Sequence, residues 1–270
     1  MKTNAYAKVN LTLDVLDRRD DGYHNIDSVM QKISLCDVLE VKRANEINVS
    51  CNIEELIGKN NIVYKAAEEF FGYTGIFKGA DISINKNIPC AAGLGGGSAD
   101  AAAVIRALDV IYETHLSDES LCEIGIRIGA DVPFCLISGT ARIGGIGEKI
   151  EKIKPITGFG VLIIKNGSKK STAEMYRMID RVKERKPMSQ KFIDALNSGN
   201  SPFDFTGNDF LYTEDRCDTI EKIKQTQPIC VSLSGSGPSL FAVYKDTDDA
   251  KRAAELLHKY GFSPIVSEFI

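Results

Sequence analysis

The sequence predicts an α+β protein with two domains. Its 270 residues exceed the usual size of a single compact domain. From Ala7 to Val15 apolar and polar residues alternate, which is the period of a strand and gives it one wet, functional face. From Ser98 to Tyr112 the apolar residues recur at helical intervals instead. Strands and helices are therefore both expected in the N-terminal part of the chain.

The remaining elements of the N-terminal domain follow from the same two periods and from turn residues. The polar run from Arg18 to Gly22 predicts a turn after the first strand. Further elements are predicted as strands over 33–41 and 46–51, a helix over 61–71, a strand over 80–84, helices over 98–112 and 117–129, and a strand with a tight turn over 139–147. Gly72 is expected to end the first helix and Ser117 to begin the third. The domain is predicted to comprise residues 1–154.

The C-terminal domain, residues 155–270, is predicted to be a second α+β unit. A strand over 159–164 is followed by a polar, helical stretch up to residue 215, with Pro187 and Pro202 as breaks. Toward the C-terminus the predicted features are strands over 229–233 and 240–244 around the loop 234–238, a helix capped by Thr247 and ended by Gly261, and a strand over 264–267.

The overall charge argues against two classes of partner. The formal net charge is -4 and the pI is about 5.6. Dedicated binders of nucleic acids or anionic membranes normally show a basic surface. The expectation is therefore a protein without nucleic-acid or membrane partners.

Cysteine usage and hydropathy predict the compartment. The seven cysteines are scattered and never spaced as C-x-x-C, which favours neither a disulfide framework nor a zinc site. The N-terminus lacks the apolar core of a signal peptide, and no apolar run of 18 residues follows. We expect a soluble, cytoplasmic protein that is a monomer or a weak homodimer.

A glycine-rich run from Gly93 to Gly97 connects a predicted strand to a predicted helix. Each ordered glycine costs about 0.5–1 kcal/mol relative to alanine, so a compensating role is expected. Glycines let several backbone N–H groups converge, and the helix starting near Ser98 adds the positive end of its dipole. This predicts an anion site with phosphate as the natural ligand. The alternative is a tight structural turn where helix and strand approach closely.

Three ordered motifs give the chain a family resemblance. The glycine run is neither a Walker A motif nor a G-x-G-x-x-G followed by a ribose-binding acid. The motifs are Pro89-x-x-x-Gly93-Leu94-Gly95-Gly96-Gly97-Ser98, Ala7-Lys8-Val9-Asn10-Leu11 and Ser234-Gly235-Ser236-Gly237-Pro238-Ser239. Together they resemble the GHMP kinases, which include galactokinase, homoserine kinase, mevalonate kinase and phosphomevalonate kinase.

Three further features resemble one branch of that family, which acts on a cytidine diphosphate-linked small molecule. They are Gly22-Tyr23-His24, the all-glycine Gly95-Gly96-Gly97 followed by Ser98-Ala99-Asp100-Ala101-Ala102, and Gly129-Ala130-Asp131-Val132-Pro133-Phe134. One alternative is another GHMP kinase that acts on homoserine, mevalonate or a sugar. A second alternative is a catalytically silent, nucleotide-dependent sensor on the same fold.

The resemblance implies a two-domain GHMP kinase fold. Its N-terminal part would be a mixed α/β nucleotide-binding domain and its C-terminal part a ferredoxin-like α+β domain. It also implies ATP as the phosphoryl donor and Mg²⁺ as its companion ion.

Two residues are assigned to catalysis by the resemblance. Asp131 would act as the base that takes the proton of the substrate hydroxyl, whereas its position before a new helix also suits a simple N-cap. Lys8 would pair with Asp131 and stabilise the developing oxyanion, whereas a solvated lysine on an exposed strand face would be unremarkable.

The resemblance also implies two sets of binding residues. The ATP-binding set is Pro89, Ala91, Gly93, Leu94, Gly95, Gly96, Gly97 and Ser98, with Asn61 and Lys86 as contacts to adenosine. The substrate-binding set is Asn10, Tyr23, His24, Thr172, Tyr176, Gly235, Ser236 and Gly237.

The substrate-binding residues have different expected roles. Tyr23 would stack on the cytosine ring and His24 would bind its polar edge. Tyr176 would form the opposite wall, although it also fits ordinary helix packing. The loop from Ser234 to Ser239 would order the glycine loop and the substrate diphosphate, or would be a simple hairpin turn.

The metal ligands are left open by the sequence. Many GHMP kinases have two serines where this chain has Gly96-Gly97, and glycine offers no hydroxyl group. Ser98 is the nearest substitute. Water and phosphate oxygens suffice as ligands in the alternative case.

Overall fold

The computed structural model describes residues 1–137, 139–167, 171–213 and 216–270. The strands are β1 (Lys2–Arg18), β2 (His24–Ala44), β3 (Asn48–Cys51), β4 (Gly79–Asn85), β5 (Thr140–Gly145), β6 (Lys149–Lys152), β7 (Gly160–Lys165), β8 (Gly207–Asn208), β9 (Cys230–Leu233), β10 (Ser239–Tyr244) and β11 (Ile265–Glu268). The helices are α1 (Ile62–Thr74), α2 (Gly96–Tyr112), α3 (Asp118–Ile128), α4 (Val132–Ile137), α5 (Thr172–Ile179), α6 (Ser189–Asn197), α7 (Cys217–Lys224) and α8 (Thr247–Lys259).

The chain divides into two compact units that are interleaved in sequence. The first unit comprises Met1–Ala7, Leu35–Cys90 and Gly95–Ser138. The second comprises Lys8–Ser34, Ala91–Leu94 and Gly139–Ile270. The long strands β1 and β2 contribute residues to both units. The family-type boundary near residue 154 stays a prediction.

The first unit packs four helices and a small sheet. Within it β2 pairs antiparallel with β4, from Val38 opposite Asn85 to Ala44 opposite Gly79, and β3 pairs parallel with β4. The helices α1 to α4 contact one another, because each presents an apolar stripe to the others. The large side chains buried by these helices include Phe70, Ile105, Leu121 and Phe134.

Helix ends in the first unit are set by caps. Asn61 begins α1 by accepting a hydrogen bond from Val63 N, and Ser117 begins α3 by accepting one from Ser120 N. The prediction that Gly72 ends the first helix is wrong. The helix continues to Gly75, which takes the left-handed conformation, with φ of 69°, that commonly ends helices.

In the second unit, the β1–β2 hairpin is the centre of a sheet. Its turn is closed by a hydrogen bond from Arg19 N to Tyr23 O, as the polar run predicts. The strand β5 pairs antiparallel with β2 and with β6, which confirms the predicted turn in the 139–147 segment. Strand β8 pairs parallel with β1, with Thr12 opposite Gly207.

A second sheet of the same unit has the strand order β11-β7-β10-β9. Its pairs are antiparallel, and α8 packs on it. Asp246 rather than Thr247 caps α8, because the Asp246 side chain accepts the hydrogen bond from Asp249 N. The buried core includes Leu162, Ile164, Leu240, Ala242 and Leu257.

The polar stretch predicted to be helical up to residue 215 contains α5 and α6, so its helical character is confirmed, and α7 follows it. Pro187 and Pro202 lie outside these helices, as expected of helix breakers. Residues 168–170, 214 and 215, which the predicted stretch includes, lie outside the described residues. In the described part of the chain, none of the helices combines the length and the apolar character needed to span a membrane.

Candidate active site

The glycine run forms a sharp entry into helix α2. Gly93 and Gly95 take φ values of 79° and 69°, and Ala91 takes 51°. Gly95 is the N-cap residue, so α2 begins at Gly96, two residues before the predicted start at Ser98. The first four N–H groups of a helix have no partner within that helix, and they point along the positive end of the dipole. The backbone here has the form of a helix-start anion site.

The glycines of the run differ in how much space a side chain would have. A Cβ atom on Gly93 would lie 2.2 Å from the carbonyl oxygen of Ser234. A Cβ atom on Gly97 would come no closer than 3.4 Å to another group, the Ile62 side chain. Close packing therefore requires glycine at 93, as the structural-turn alternative anticipates, but not at 97.

The other predicted members of the ATP-binding set contribute mainly backbone to this segment. The Leu94 side chain is buried in the core, and Leu94 O accepts a hydrogen bond of 2.9 Å from Lys8 N. Pro89 and Ser98 are half-buried, and Ala91 is exposed. Lys8 and Leu94 both belong to the second unit, so this bond ties strand β1 to the start of the loop.

The polar side chains of β1 are buried, which corrects the expectation of a wet face. Lys8, Asn10, Thr12 and Asp14 are each less than 5% exposed. Buried polar groups need partners, and these have them. Thr12 bonds Ser189 Oγ at 2.7 Å, and Asp14 accepts bonds from the backbone N–H groups of residues 188 and 189.

Asn10 is the centre of a hydrogen-bond chain that holds Lys8. The Lys8 Nζ atom donates to Asn10 Oδ1 at 2.7 Å, and the same oxygen accepts from Gly235 N at 3.0 Å. The Asn10 Nδ2 atom donates to Ser28 Oγ at 2.9 Å, and Ser28 in turn donates to Thr12 O. The amide is thereby fixed in orientation, and it fixes the ammonium group beside it.

The loop from Ser234 to Ser239 packs on the first part of the glycine loop. Ser234 Oγ donates to Gly93 O at 2.9 Å, and Ser239 N donates to Ala92 O at 3.3 Å. The N–H groups of Gly235 and Gly237 are already engaged, by Asn10 Oδ1 and by Ser234 O. This leaves the Ser236 hydroxyl, 3.3 Å from Thr172 Oγ1, as the side chain of this loop that meets another predicted substrate residue.

Asn208 bonds the loop beside Asn10, and the sequence reasoning did not single it out. Its Nδ2 atom donates to Leu233 O at 2.8 Å and to Gly235 O at 2.9 Å, and the residue is 5% exposed. It therefore clamps the base of the loop that bonds Asn10, the residue that holds Lys8. No local pattern around β8 indicates this role, because the two carbonyl groups lie 25 and 27 residues away in sequence.

Asp131 lies in the first unit, at the junction of α3 and α4. Gly129 ends α3, as predicted, and Asp131 O accepts a hydrogen bond of 3.2 Å from Cys135 N in the first turn of α4. The residue thus occupies the position of an N-cap, the alternative considered for it. Its pairing with Lys8, which belongs to the second unit, stays a prediction.

A buried ionic triad beside the start of α2 was also missed. Lys86 Nζ bonds Asp100 Oδ2 at 2.7 Å and also bonds Asp37 Oδ2. Asp37 Oδ1 accepts from Asn87 N and Ile88 N at 2.5 and 2.8 Å. All three charged side chains are at most 4% exposed. A Cβ atom on Gly96 would lie 3.4 Å from Lys86 Nζ, so the triad directly adjoins the glycine run.

Two groups of this triad, Lys86 and Asp100, have shifted pKa values. Burial works against the charge of Lys86, but the attraction and hydrogen bonds of Asp100 and Asp37 outweigh it and raise the pKa of the ammonium. Burial raises the pKa of Asp100 to about 7, helped by Asp37 and opposed by Lys86. Asp100 Oδ1 is buried and makes no hydrogen bond. The predicted contact of Lys86 with adenosine stays a prediction.

Asn61, the other predicted adenosine contact, is 5% exposed. Besides capping α1, it donates from Nδ2 to Leu56 O at 2.7 Å. Its side chain thus has a structural role at the N-terminus of α1, and its contact with adenosine stays a prediction.

The proposed base-binding residues lie around the β1–β2 turn. Tyr23 is 63% exposed, so its ring is not part of the core and is accessible to a ligand. The His24 ring stacks on Tyr176, with 4.8 Å between centroids and 13° between planes, and Tyr176 packs edge-on against Phe210. His24 Nε2 lies 2.6 Å from Asp180 Oδ1. The helix-packing expectation for Tyr176 therefore has a structural counterpart, whereas its role as a wall of the base site stays a prediction.

Among the described residues no cluster of three or more His, Cys, Asp or Glu side chains is arranged to hold a metal ion. The glycines at 96 and 97 offer only backbone, and Ser98 offers the one hydroxyl group of the α2 start. The residues present fit the phosphate groups of a nucleotide better than a dedicated metal cage.

The fold and the glycine loop define the class of this protein as a GHMP kinase, in agreement with the predicted resemblance. Family models match the chain for the GHMP kinases N terminal domain over residues 61–139 and for the GHMP kinases C terminal over residues 218–262. The mevalonate kinase of Methanococcus jannaschii shares the fold, with a TM-score of 0.72 at 17% identity over 100% of this chain and 98% of that chain.

Relatives with higher sequence identity indicate the branch of the GHMP kinases to which the chain belongs. A protein of Clostridium acetobutylicum named 4-diphosphocytidyl-2-C-methyl-D-erythritol kinase is 39% identical over 93% of this chain and 94% of its own length. A crystal structure of 4-(cytidine 5'-diphospho)-2C-methyl-D-erythritol kinase matches with a TM-score of 0.85 and 29% identity, over 99% of this chain and 98% of that chain. The chain belongs to the 4-diphosphocytidyl-2-C-methyl-D-erythritol kinase family. The alternatives of another GHMP kinase and of a silent sensor are not favoured.

Proposed function

We propose that the protein transfers the γ-phosphoryl group of ATP to the 2-hydroxyl group of 4-diphosphocytidyl-2-C-methyl-D-erythritol, a step in the non-mevalonate route to isoprenoid precursors. The observation that supports this substrate is the group of Tyr23, His24 and Tyr176, in which one aromatic ring is exposed and two are stacked. Such a surface suits a nucleobase, which homoserine, mevalonate and simple sugars lack. The relatives of this chain bear the same activity in their names.

ATP would bind through the start of α2. The N–H groups of Gly96, Gly97 and Ser98 belong to the first turn of the helix and suit phosphate oxygens. The glycines let phosphate approach the backbone closely, and Gly93, Leu94 and Gly95 shape the entry. Mg²⁺ would arrive with the nucleotide and neutralise phosphate charge, with the Ser98 hydroxyl as the protein group available to it.

Lys8 and Asp131 would perform the transfer. Phosphoryl transfer proceeds through a loose transition state, so that positioning and charge stabilisation provide most of the acceleration. Asp131 would accept the proton of the substrate hydroxyl group as the new bond to phosphorus forms. Lys8 would stabilise the oxygen that loses the proton, and the Asn10 amide would hold the ammonium in place.

Substrate would be held at two points. Tyr23 would stack on cytosine, His24 would bind the base edge, and Tyr176 would support the wall behind His24. Because the N–H groups of Gly235 and Gly237 are engaged internally, the diphosphate would be bound by Ser236 and Thr172. The cytoplasmic location and the monomer or weak homodimer stay predictions.

A coupled assay of ADP release tests the proposal. Wild type should turn over with 4-diphosphocytidyl-2-C-methyl-D-erythritol and not with homoserine or mevalonate. Lys8→Ala and Asp131→Ala should each lower kcat by about 100-fold or more, the scale of lost transition-state stabilisation. Lys149→Ala, which removes an exposed lysine of β6, serves as the control. Near-normal turnover in both catalytic variants would contradict the assigned roles.

A further inference from the structure

Asp180 and Tyr176 both contact the His24 ring, and they lie one helical turn apart at the C-terminal end of α5. Tyr176 belongs to α5, and Asp180, four residues later, is the C-cap residue of that helix. Residues four apart lie on the same face of a helix, and Asp180 N donates to Tyr176 O at 3.1 Å. Tyr176 fixes the plane of the imidazole by stacking, and Asp180 fixes its rotation by the 2.6 Å contact to Nε2.

The His24 side chain is enclosed, whereas its partner reaches the surface. The imidazole is 6% exposed and the Asp180 side chain is 35% exposed. A buried ring with a single dominant orientation is suited to recognition, because little conformational entropy is lost when a ligand binds it. The contact is also separate from the chain of bonds around Lys8 and Asn10, which involves none of these three residues.

The carboxylate determines which imidazole nitrogen bears the proton. An ionised carboxylate only accepts hydrogen bonds, so the Nε2 atom that contacts Asp180 must be protonated. In the neutral imidazole the other nitrogen, Nδ1, is then an acceptor. Cytosine presents an amino donor at C4, where uracil presents a carbonyl acceptor. An acceptor at Nδ1 can receive a hydrogen bond from the 4-amino group of cytosine, whereas it repels the 4-carbonyl oxygen of uracil.

We propose that Asp180 is the positioning residue that makes the site select cytosine over uracil, by holding His24 with Nε2 protonated and Nδ1 free to accept the 4-amino group. The inference rests on the proposed function, because it takes the base-linked substrate from there. It adds a specificity-determining residue outside the motifs by which the sequence resembles its family.

The substitution Asp180→Asn tests this assignment. An asparagine amide can donate to Nε2 from Nδ2, which moves the imidazole proton to Nδ1 and makes that atom a donor. The ratio of kcat/KM for cytidine-linked over uridine-linked substrate should fall by about tenfold or more, the scale of one good base-edge contact. The change should lie in KM, with kcat altered far less. Asp180→Glu keeps a carboxylate at this position, so it should retain part of the wild-type cytidine-to-uridine ratio that Asp180→Asn loses.

Two further measurements separate this inference from the proposed function and from a purely structural role. Equilibrium binding of cytidine and uridine diphosphates measures selectivity without turnover, so it remains informative if the kinase assay fails. Nitrogen-15 NMR of the imidazoles, of which the chain has three, should show Nε2 protonated in wild type and a changed tautomer in Asp180→Asn. Asp194→Asn, which replaces an exposed aspartate of α6, is the matched control.

Each result has a clear consequence. A lower selectivity in both kinetics and binding, with the tautomer shift, supports the role of Asp180. An unchanged cytidine-to-uridine ratio would overturn it in a folded Asp180→Asn variant that shows the tautomer shift, or in a folded Asp180→Leu variant, which offers Nε2 neither donor nor acceptor, even if wild type is an active kinase. Selective binding by wild type without phosphorylation would contradict the proposed function and leave the inference standing.

Discussion

The glycines of the glycine loop have different structural roles. Gly93 has a positive φ and lies against the Ser234 carbonyl, so both its conformation and its lack of a side chain are needed. Gly97 lies inside the first turn of α2 with room for a methyl group. A run that looks uniform in sequence therefore combines a packing glycine with glycines that leave the helix start open.

Stability measurements should separate these two glycines. Gly93→Ala should lower the unfolding free energy by about 2 kcal/mol or more, because a left-handed alanine costs roughly 1–2 kcal/mol before the contact with Ser234 is relieved. Gly97→Ala should leave it unchanged or raise it by about 0.5–1 kcal/mol. Urea denaturation of both variants checks this. Equal effects at the two positions would contradict the contrast.

Tyr23 is predicted to contribute to ligand binding and not to the packing of the core. Because its ring is 63% exposed, Tyr23→Ala should hardly change stability. If the ring stacks on cytosine, KM for the cytidine-linked substrate should rise by roughly 5- to 150-fold, which corresponds to 1–3 kcal/mol of stacking. KM for ATP should not change. Parallel steady-state kinetics with each substrate varied would detect this, and an unchanged KM for the cytidine-linked substrate would remove the stacking assignment.

At the scale of elements, the site of the second unit is assembled by strand ends and loops that clamp one another. Strand β1 supplies Lys8 and Asn10, and the loop between β9 and β10 bonds Asn10 through Gly235. Asn208, in β8 beside β1, bonds two carbonyl groups of that loop. The geometry around Lys8 thus depends on three segments far apart in sequence.

Removal of the clamp should loosen this assembly. Asn208→Ala leaves two carbonyl groups without their donor, which should cost about 1–3 kcal/mol of stability. It should also lower kcat, because the loop that bonds Asn10, and through it positions Lys8, loses support. Asn200→Ala, at an exposed position after α6, is the control for both denaturation and kinetics. Full kcat in a folded Asn208→Ala variant would contradict a role in positioning.

At the scale of the whole molecule, a buried charge imbalance links folding to pH. Lys86 lies between two carboxylates, and burial raises the pKa of Asp100 to about 7 from an ordinary 3.8. Asp100 therefore binds its proton more tightly in the folded chain than in the unfolded chain. Its contribution to stability is fully present below about pH 3.8 and is lost as the pH rises through about 7.

The variant Asp100→Asn should remove this dependence. Between pH 5 and 8 its stability relative to wild type should increase with pH, by at most about 1.4 kcal/mol per pH unit, the limit for one proton. Urea denaturation at several pH values checks the slope, with Asp194→Asn as an exposed control. A relative stability of Asp100→Asn that falls or stays level as the pH rises would contradict the shifted titration.

The sequence by itself determined the fold class, the strand and helix periods, the glycine loop and the family, because these depend on local patterns and on motifs contiguous in the chain. It placed Lys8, Asp131 and the Tyr23-His24 pair as candidates for the same reason. Only the tertiary structure revealed that the polar face of β1 is buried, that Gly75 rather than Gly72 ends α1, and that Gly93 is required by packing.

The tertiary structure also decided the partners of the candidate residues. Asp180 meets His24 across 156 residues and Asn208 meets Gly235 across 27, whereas Asp37 and Asp100 meet at Lys86 from a strand and a helix. Each of these side chains is an ordinary polar residue in its local context, and its role follows from what folding brings beside it. Burial then makes each contact consequential, because a polar group removed from water must find its partner within the protein.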